Sequence, residues 1–181
     1  ATPSGMIAIV GASPAQLDEL CAKTGCTPAN INSAAQVVLS GDKAQIAAAA
    51  ATAKELGIKR AIPLATAGAF HSKFMQPARE KLAPVLDGIT FHAPKIPVIS
   101  NVTGRVHSSD PAEIKDVMLR QVTETTRWAD DIAAAKELGC TRFIEFGPGK
   151  VLSGLIKKID AALTTLNVSD LATLDATVSA L

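Results

Sequence analysis

The chain has 181 residues, with 18 basic residues against 17 acidic ones and 48% of its positions apolar. That length suits one ordinary domain, or two small lobes, with a sizeable core. The near-neutral balance argues against a general nucleic-acid binder, and no apolar run approaches the roughly 20 residues that span a bilayer.

Aromatic residues are scarce and tyrosine is absent, so the core must be built from Ala, Val, Ile and Leu. This balance favours helices packed on a sheet over an all-β sandwich. The opening stretch "ATPSGMIAIVG" lacks the basic start and long apolar segment of a signal peptide, which implies a soluble cytoplasmic protein. It also lacks an initiator methionine, as a processed product or a piece of a longer chain would. The three cysteines, Cys21, Cys26 and Cys140, form no C-x-x-C pair. Two readings remain for them, inert thiols in a reducing compartment or metal ligands. The absence of a histidine near Cys21 and Cys26 favours the first, and no metal or permanently bound cofactor is expected.

Residues 5–66 alternate strands and helices. "GMIAIVG" reads as a buried strand. Ser13, Pro14 and Gln16 then open a helix with an N-cap, a proline at its first position and a capping box. "TPANINS" and "AQVVLSG" read as two short strands joined around Ser33. A helix follows with Ile46, Ala49, Ala53 and Leu56 on one stripe and Gly57 as its stop. "RAIPLAT" closes the series. The order βαββαβ is the split-βαβ, ferredoxin-like signature.

Beyond residue 66 the pattern changes. A helix is expected from Gln76, kinked or ended by Pro84. "KIPVISN" (95–101) reads as a buried strand. Asp110, Pro111 and Glu113 predict a capped helix with a capping box. "WADDIAAAKELG", "RFIEF", "VLSGLIKKI", "ALTTLNV" and "SDLATLDATVSAL" predict helix, strand, helix, strand and helix. Strands separated by helices imply a parallel sheet covered on its faces. Three strands are few for such a sheet.

Four features carry candidate chemistry. His71, in "ATAGAFHSKFMQPARE", sits between a strand end and a helix start. It is either a satisfied structural histidine or a general base, since imidazole titrates at about 6.5. A base needs a Ser or Cys to deprotonate and a third group to fix its tautomer. The neighbouring Ser72 is poorly directed for that, and no G-x-S-x-G elbow occurs in the 181 residues. "EFGPGK" (145–150) is a tight turn or an anion-facing loop, though it matches neither the P-loop nor the dinucleotide fingerprint. Asn30, Asn32 and Gln36 are turn formers or the lining of a polar cleft. Lys59 and Arg60 are solvated or meet phosphates.

Five stretches, "NINSAAQVVLSG", "GAFHSKFMQPA", "IPVISNV", "RQV…RW" and "FIEFGPGKVLSGLIKKI", occur here in one order. In that order they resemble the malonyl-CoA:acyl carrier protein transacylases of fatty-acid synthesis. The acyltransferase domains of polyketide synthases are the close second. The resemblance runs along nearly the whole chain.

The resemblance implies an α/β enzyme of two lobes, a ferredoxin-like small subdomain (5–66) and the C-terminal part of an α/β-hydrolase-like large subdomain (67–181). It implies ping-pong transfer of malonyl from coenzyme A, through a serine, to the phosphopantetheine thiol of acyl carrier protein. His71 matches the catalytic histidine, and Gln121 the position whose main-chain carbonyl orients it. Phe70 matches the residue that shapes the acyl pocket. Asn32 and Gln36 match cleft-lining positions, and Lys59 with Arg60 a basic pair near the coenzyme A or carrier arm. Thr125 stands where the family often has proline, Ala34–Ala35 replace a common Pro-Gly, and Pro84 falls where a helix commonly continues. The family's serine elbow, malonyl-pairing arginine and oxyanion glutamine match nothing in these residues. The expectation is therefore a chain inactive alone, whose partners are malonyl-CoA, acyl carrier protein and a serine-bearing part. A non-catalytic carrier-binding module is the competing expectation.

Overall fold

The computed structural model describes residues 3–181. By its internal contacts the chain divides into two compact units, one ending at Asp131 and one running Ile132–Leu181. The fold is mixed α/β.

The first unit opens with β1 (Ser4–Val10), α1 (Pro14–Thr24), β2 (Thr27–Ser33), β3 (Gln36–Asp42), α2 (Lys43–Glu55) and β4 (Arg60–Leu64). The four strands form one sheet in the order β2-β3-β1-β4, antiparallel throughout. The expected caps set the helix starts. Ser13 and Gln16 form a reciprocal capping box with Pro14 in the first turn, and Asp42 and Gln45 form a second one on α2. Gly25 and Gly57 follow the two helices with φ of 70° and 69°, a conformation that glycine adopts without a Cβ penalty.

Two apolar clusters sit on opposite faces of this sheet, as the two-residue period of a strand requires. Ile7, Ile9 and Leu39 face Leu20, Ala49 and Ala53 of the helices. Met6, Ala8, Ala29 and Val38 form the other cluster. The second face is where the candidate site lies.

After β4 come a 3₁₀ turn (Lys73–Met75) and α3 (Gln76–Asp87). The helix runs through Pro84 to Asp87, so the expected break does not end it. Pro84 is exposed and removes one backbone donor near the end of the helix, which the remaining ladder tolerates.

The expected buried strand 95–101 is much reduced. Only Ile99–Ser100 (β5) is strand, paired antiparallel with Arg105–Val106 (β6). Ile96 and Val98 are 73% and 42% exposed. Pro97, lacking an N–H, limits the ladder on that side. Next come α4 (Pro111–Arg120) and α5 (Trp128–Glu137). Asp110 caps α4 by accepting from the Ala112 N–H at 2.9 Å. No capping box closes there, and Glu113 adds only its charge to the first turn.

The second unit holds β7 (Arg142–Phe146), α6 (Val151–Ile159), β8 (Thr164–Val168) and α7 (Leu171–Ser179). β7 and β8 pair in parallel, as strands separated by a helix should. The Asn167 side chain donates to the carbonyls of Glu145 (3.2 Å), Gly147 (3.4 Å) and Gly149 (2.8 Å) and so fixes the "GPG" turn. Glu145 accepts from the Leu152 and Ser153 N–H groups at 3.1 and 2.8 Å and caps α6. That carboxylate occupies the helix start, so the turn is structural and not an anion-facing loop. Among the described residues no helix is long and apolar enough to cross a membrane.

Candidate active site

His71 is the one described residue other than glycine with a positive φ, 54°. A side chain in that left-handed region is strained, and neighbouring contacts must hold it there. They come from both sides. Ser40, buried in β3, donates to the Phe70 carbonyl at 2.6 Å. Ser72 donates to the Ala69 carbonyl at 2.6 Å, and its oxygen accepts from the Phe74 N–H at 3.3 Å. Ser4 in β1 accepts from the Ala69 N–H at 3.2 Å. The histidine is thus a stiff projection tied to the sheet by two strand serines.

Across from it, the segment 121–127 lies along the free edge of β2. The Thr126 N–H donates to the Ala29 carbonyl and the Ile31 N–H to the Thr126 carbonyl, both at 2.8 Å. Thr125, where the resembled family often has proline, donates its hydroxyl to the Pro28 carbonyl at 2.8 Å. This clamp sets Gln121 beside the ring. His71 Nδ1 lies 3.0 Å from the Gln121 main-chain oxygen. A carbonyl only accepts, so Nδ1 carries the ring proton in this contact and Nε2 is left as the acceptor. That is the protonation state a general base requires.

His71 lines an open cleft of about 380 Å³ with Thr27, Pro28, Val102, Thr125, Lys73 and Arg127. Phe70, 40% exposed, adjoins it in sequence. The other expected site residues lie elsewhere. Asn32 is half-buried in β2. Gln36 and Arg60 both pair with Val10, on its two sides. That row is four residues along β1 from the Met6–Ser40 pair that tethers Phe70, or roughly 13 Å at strand rise. Lys59 is exposed and packs its stem against Gly11. Gln36 lines a separate, mainly apolar hollow of about 330 Å³ with Leu17, Ile31 and Val37.

Reasoning from sequence missed Lys73 and Arg127 as the cations at the cleft, and Ser4, Ser40 and Thr126 as supports. A signal existed for Ser40, a polar residue among the apolar positions of "QVVLSG". No signal marked the others.

Among the described residues, no group of three or more His, Cys, Asp or Glu side chains is arranged to hold a metal ion. Burial, with the neighbouring Cys26 adding to it, pushes the Cys21 thiol up to about 11, and burial also raises Cys26. Both are poor thiolates at neutral pH.

Known proteins bear out the resemblance drawn from the five motifs. The malonyl CoA-acyl carrier protein transacylase of Bacillus subtilis is 44% identical over 153 residues, which is 84% of this chain and 48% of that protein. A solved malonyl CoA-acyl carrier protein transacylase from Clostridium perfringens superposes with a TM-score of 0.93 at 38% identity, covering 99% of this chain and 58% of that one. A solved complex of a type II polyketide synthase acyl-carrier protein with its malonyl-transacylase matches with a TM-score of 0.92 at 34% identity, covering 99% and 59%. No protein-family model matches the chain. In sequence and fold the chain is similar to acyl-group transferases. More narrowly, the relatives are malonyl CoA-acyl carrier protein transacylases, and the chain spans about half the length of the curated ones it matches.

Proposed function

We propose that the chain supplies the general base for malonyl transfer from coenzyme A to acyl carrier protein in fatty-acid biosynthesis. The observation that carries this is the 3.0 Å contact of His71 Nδ1 with the Gln121 carbonyl, which leaves Nε2 as a proton acceptor. Nε2 takes the proton of a serine hydroxyl outside the 181 residues as that oxygen attacks the thioester carbon. The carbon–sulfur bond then breaks, and the imidazolium returns the proton to the departing coenzyme A thiolate. The carrier thiol reverses these steps and leaves with the malonyl group. Acid–base help of this kind is worth about 10²–10⁴-fold.

In this reading residues 5–66 form a ferredoxin-like small subdomain, and 67–181 the C-terminal part of an α/β-hydrolase-like subdomain. The strand order β2-β3-β1-β4 supports the first assignment. Phe70 bounds the acyl pocket beside the base. Arg127 is paired with Asp130 and Glu124 also lines the cleft, so Lys73, with no carboxylate partner among the described residues, is the cation offered to an anionic substrate. Asn32, Gln36, Lys59 and Arg60 serve the far part of a long pantetheine arm or the carrier that bears it. No resident cofactor is required, and the setting is cytoplasmic.

The chain alone has no transfer activity in this reading. Incubation with malonyl-CoA followed by intact-mass measurement should give no malonyl adduct, and an adduct overturns the reading. Adding a serine-bearing part from a relative should restore transfer that depends on His71. The competing outcome is a non-catalytic carrier-docking module. Tight binding of carrier with no transfer after reconstitution would establish that alternative.

A further inference from the structure

The mainly apolar hollow of about 330 Å³ in the first unit lies on the helix-covered face of the sheet, away from His71. Its floor is a cross-strand row in which Ile31 pairs with Val37 and Val37 with Ile9. Pro14 and Leu17 of α1 form one wall, and the β2–β3 turn closes the end. We propose that this hollow is a binding site for a small apolar ammonium ion, a fused two-ring body carrying one primary amine. The proposal stands apart from the reading of His71, because the hollow shares only Pro28 with the cleft that holds the base.

The hollow follows from how two helices cover four strands. α2 packs on β1, β3 and β4 and α1 packs on α2, which leaves the β2 end of the row thinly covered. Leu17, Ile31 and Val37 are accordingly half-buried. Ala12, Ala34 and Ala35 are too small to fill the gap. The walls are held without any occupant. The Ser13–Gln16 capping box fixes the start of α1. The Gly11 N–H donates to the Ala35 carbonyl at 2.8 Å and ties the turn to the segment that leads into the helix. A largely preformed apolar concavity with few polar groups is the common character of small-molecule sites.

Size and charge define the occupant. The volume is about twice the roughly 150 Å³ of an apolar cavity that takes up benzene, so a two-ring body fits. The Ser13 and Ser33 oxygens are engaged, accepting from the Gln16 and Ala35 N–H groups at 3.3 Å each. Asp18 is the one charged residue on the lining, and no cation pairs with it among the described residues. An amine drawn to that carboxylate lays its ring body over Leu17 and Ile31, whereas a carboxylate ligand is repelled.

The test uses the 181-residue chain with ¹³C-labelled methyl groups, titrated with tryptamine, indole and indole-3-acetate. Tryptamine should shift the Leu17, Ile31 and Val37 methyl signals and leave the His71 ring signals in place. Indole should bind roughly two- to five-fold more weakly, the difference made by one exposed ion pair. Indole-3-acetate should bind more weakly still. Asp18→Asn should bring tryptamine down to the affinity of indole. Leu17→Trp fills the hollow and should abolish the shifts, and Ala12→Leu gives the same comparison should the tryptophan variant fail to fold. No shifts at the three methyl-bearing residues, equal affinity for all three probes, or shifts that survive the filling variants overturn the proposal. Loss of tryptamine binding when the serine-bearing part of a relative is added also overturns it, since the hollow would then be an interface for that part.

Discussion

Ser40 in β3 and Phe70, thirty residues later, are joined by a 2.6 Å hydrogen bond from the serine hydroxyl to the phenylalanine carbonyl. The bond fixes the residue before the base to the face of the sheet opposite the helices. Ser40→Ala would leave that carbonyl without its partner and cost about 1–2 kcal/mol. Urea unfolding followed by circular dichroism measures the loss. In a reconstituted enzyme the same change should lower transfer, because the backbone of His71 is no longer pinned.

His71→Ala should abolish base assistance, reducing reconstituted transfer by about 10²–10⁴-fold. Alanine keeps the Cβ and with it the backbone strain, and it loses the bond to the Gln121 carbonyl, so stability should fall as well, by about 0.5–1.5 kcal/mol. Single-turnover transfer to carrier thiol, measured beside thermal unfolding, separates the two effects.

Asp131 is buried, and neither carboxylate oxygen has a hydrogen-bond partner among the described residues. Burial, with the adjacent Asp130 charge adding to it and Arg127 opposing, pushes its carboxyl up to about 7. The folded state therefore holds a proton that the unfolded chain releases at lower pH. The stability this confers is complete below the ordinary aspartate range and is lost as pH rises to about 7, a change of roughly 2–4 kcal/mol. Asp131→Asn should flatten the dependence of the urea midpoint between about pH 4 and 7. An unchanged slope in that variant would show that another group titrates.

Glu145 behaves in the opposite sense. Burial works against its charge, but the Ser153 N–H and hydroxyl and the Leu152 N–H hold the carboxyl below its usual range. Its stabilising effect is present above the ordinary glutamate range and is lost as pH falls through its lowered value. Glu145→Gln should weaken the start of α6 and remove that acid sensitivity. Amide hydrogen exchange at Leu152 and Ser153 would show faster exchange at neutral pH in the variant.

The βαββαβ unit was legible because each level of the sequence agreed. Apolar alternation marked the strands, Ser13 with Gln16 marked a helix start, and Gly57 marked a stop. The stretch 95–101 misled for a physical reason. A short apolar run reads alike whether it is a core strand or one end of a small hairpin, and periodicity says nothing about its partner. His71 was legible by its position between elements, and Gln121 through the resemblance alone. Thr126 was not, because its link to His71 spans 55 residues and depends on a strand edge no local pattern announces. Asp131 was equally hidden, since an acidic residue near a helix start is ordinarily solvated.

The positive φ of His71 gives that position a particular evolutionary character. Glycine would relieve the backbone there at once, and asparagine would relieve part of it. Histidine is better tolerated there than most side chains but still less stable than glycine, so drift toward stability alone would erode it. Persistence of an imidazole at position 71 across related chains would measure selection on chemistry, separately from selection on the fold.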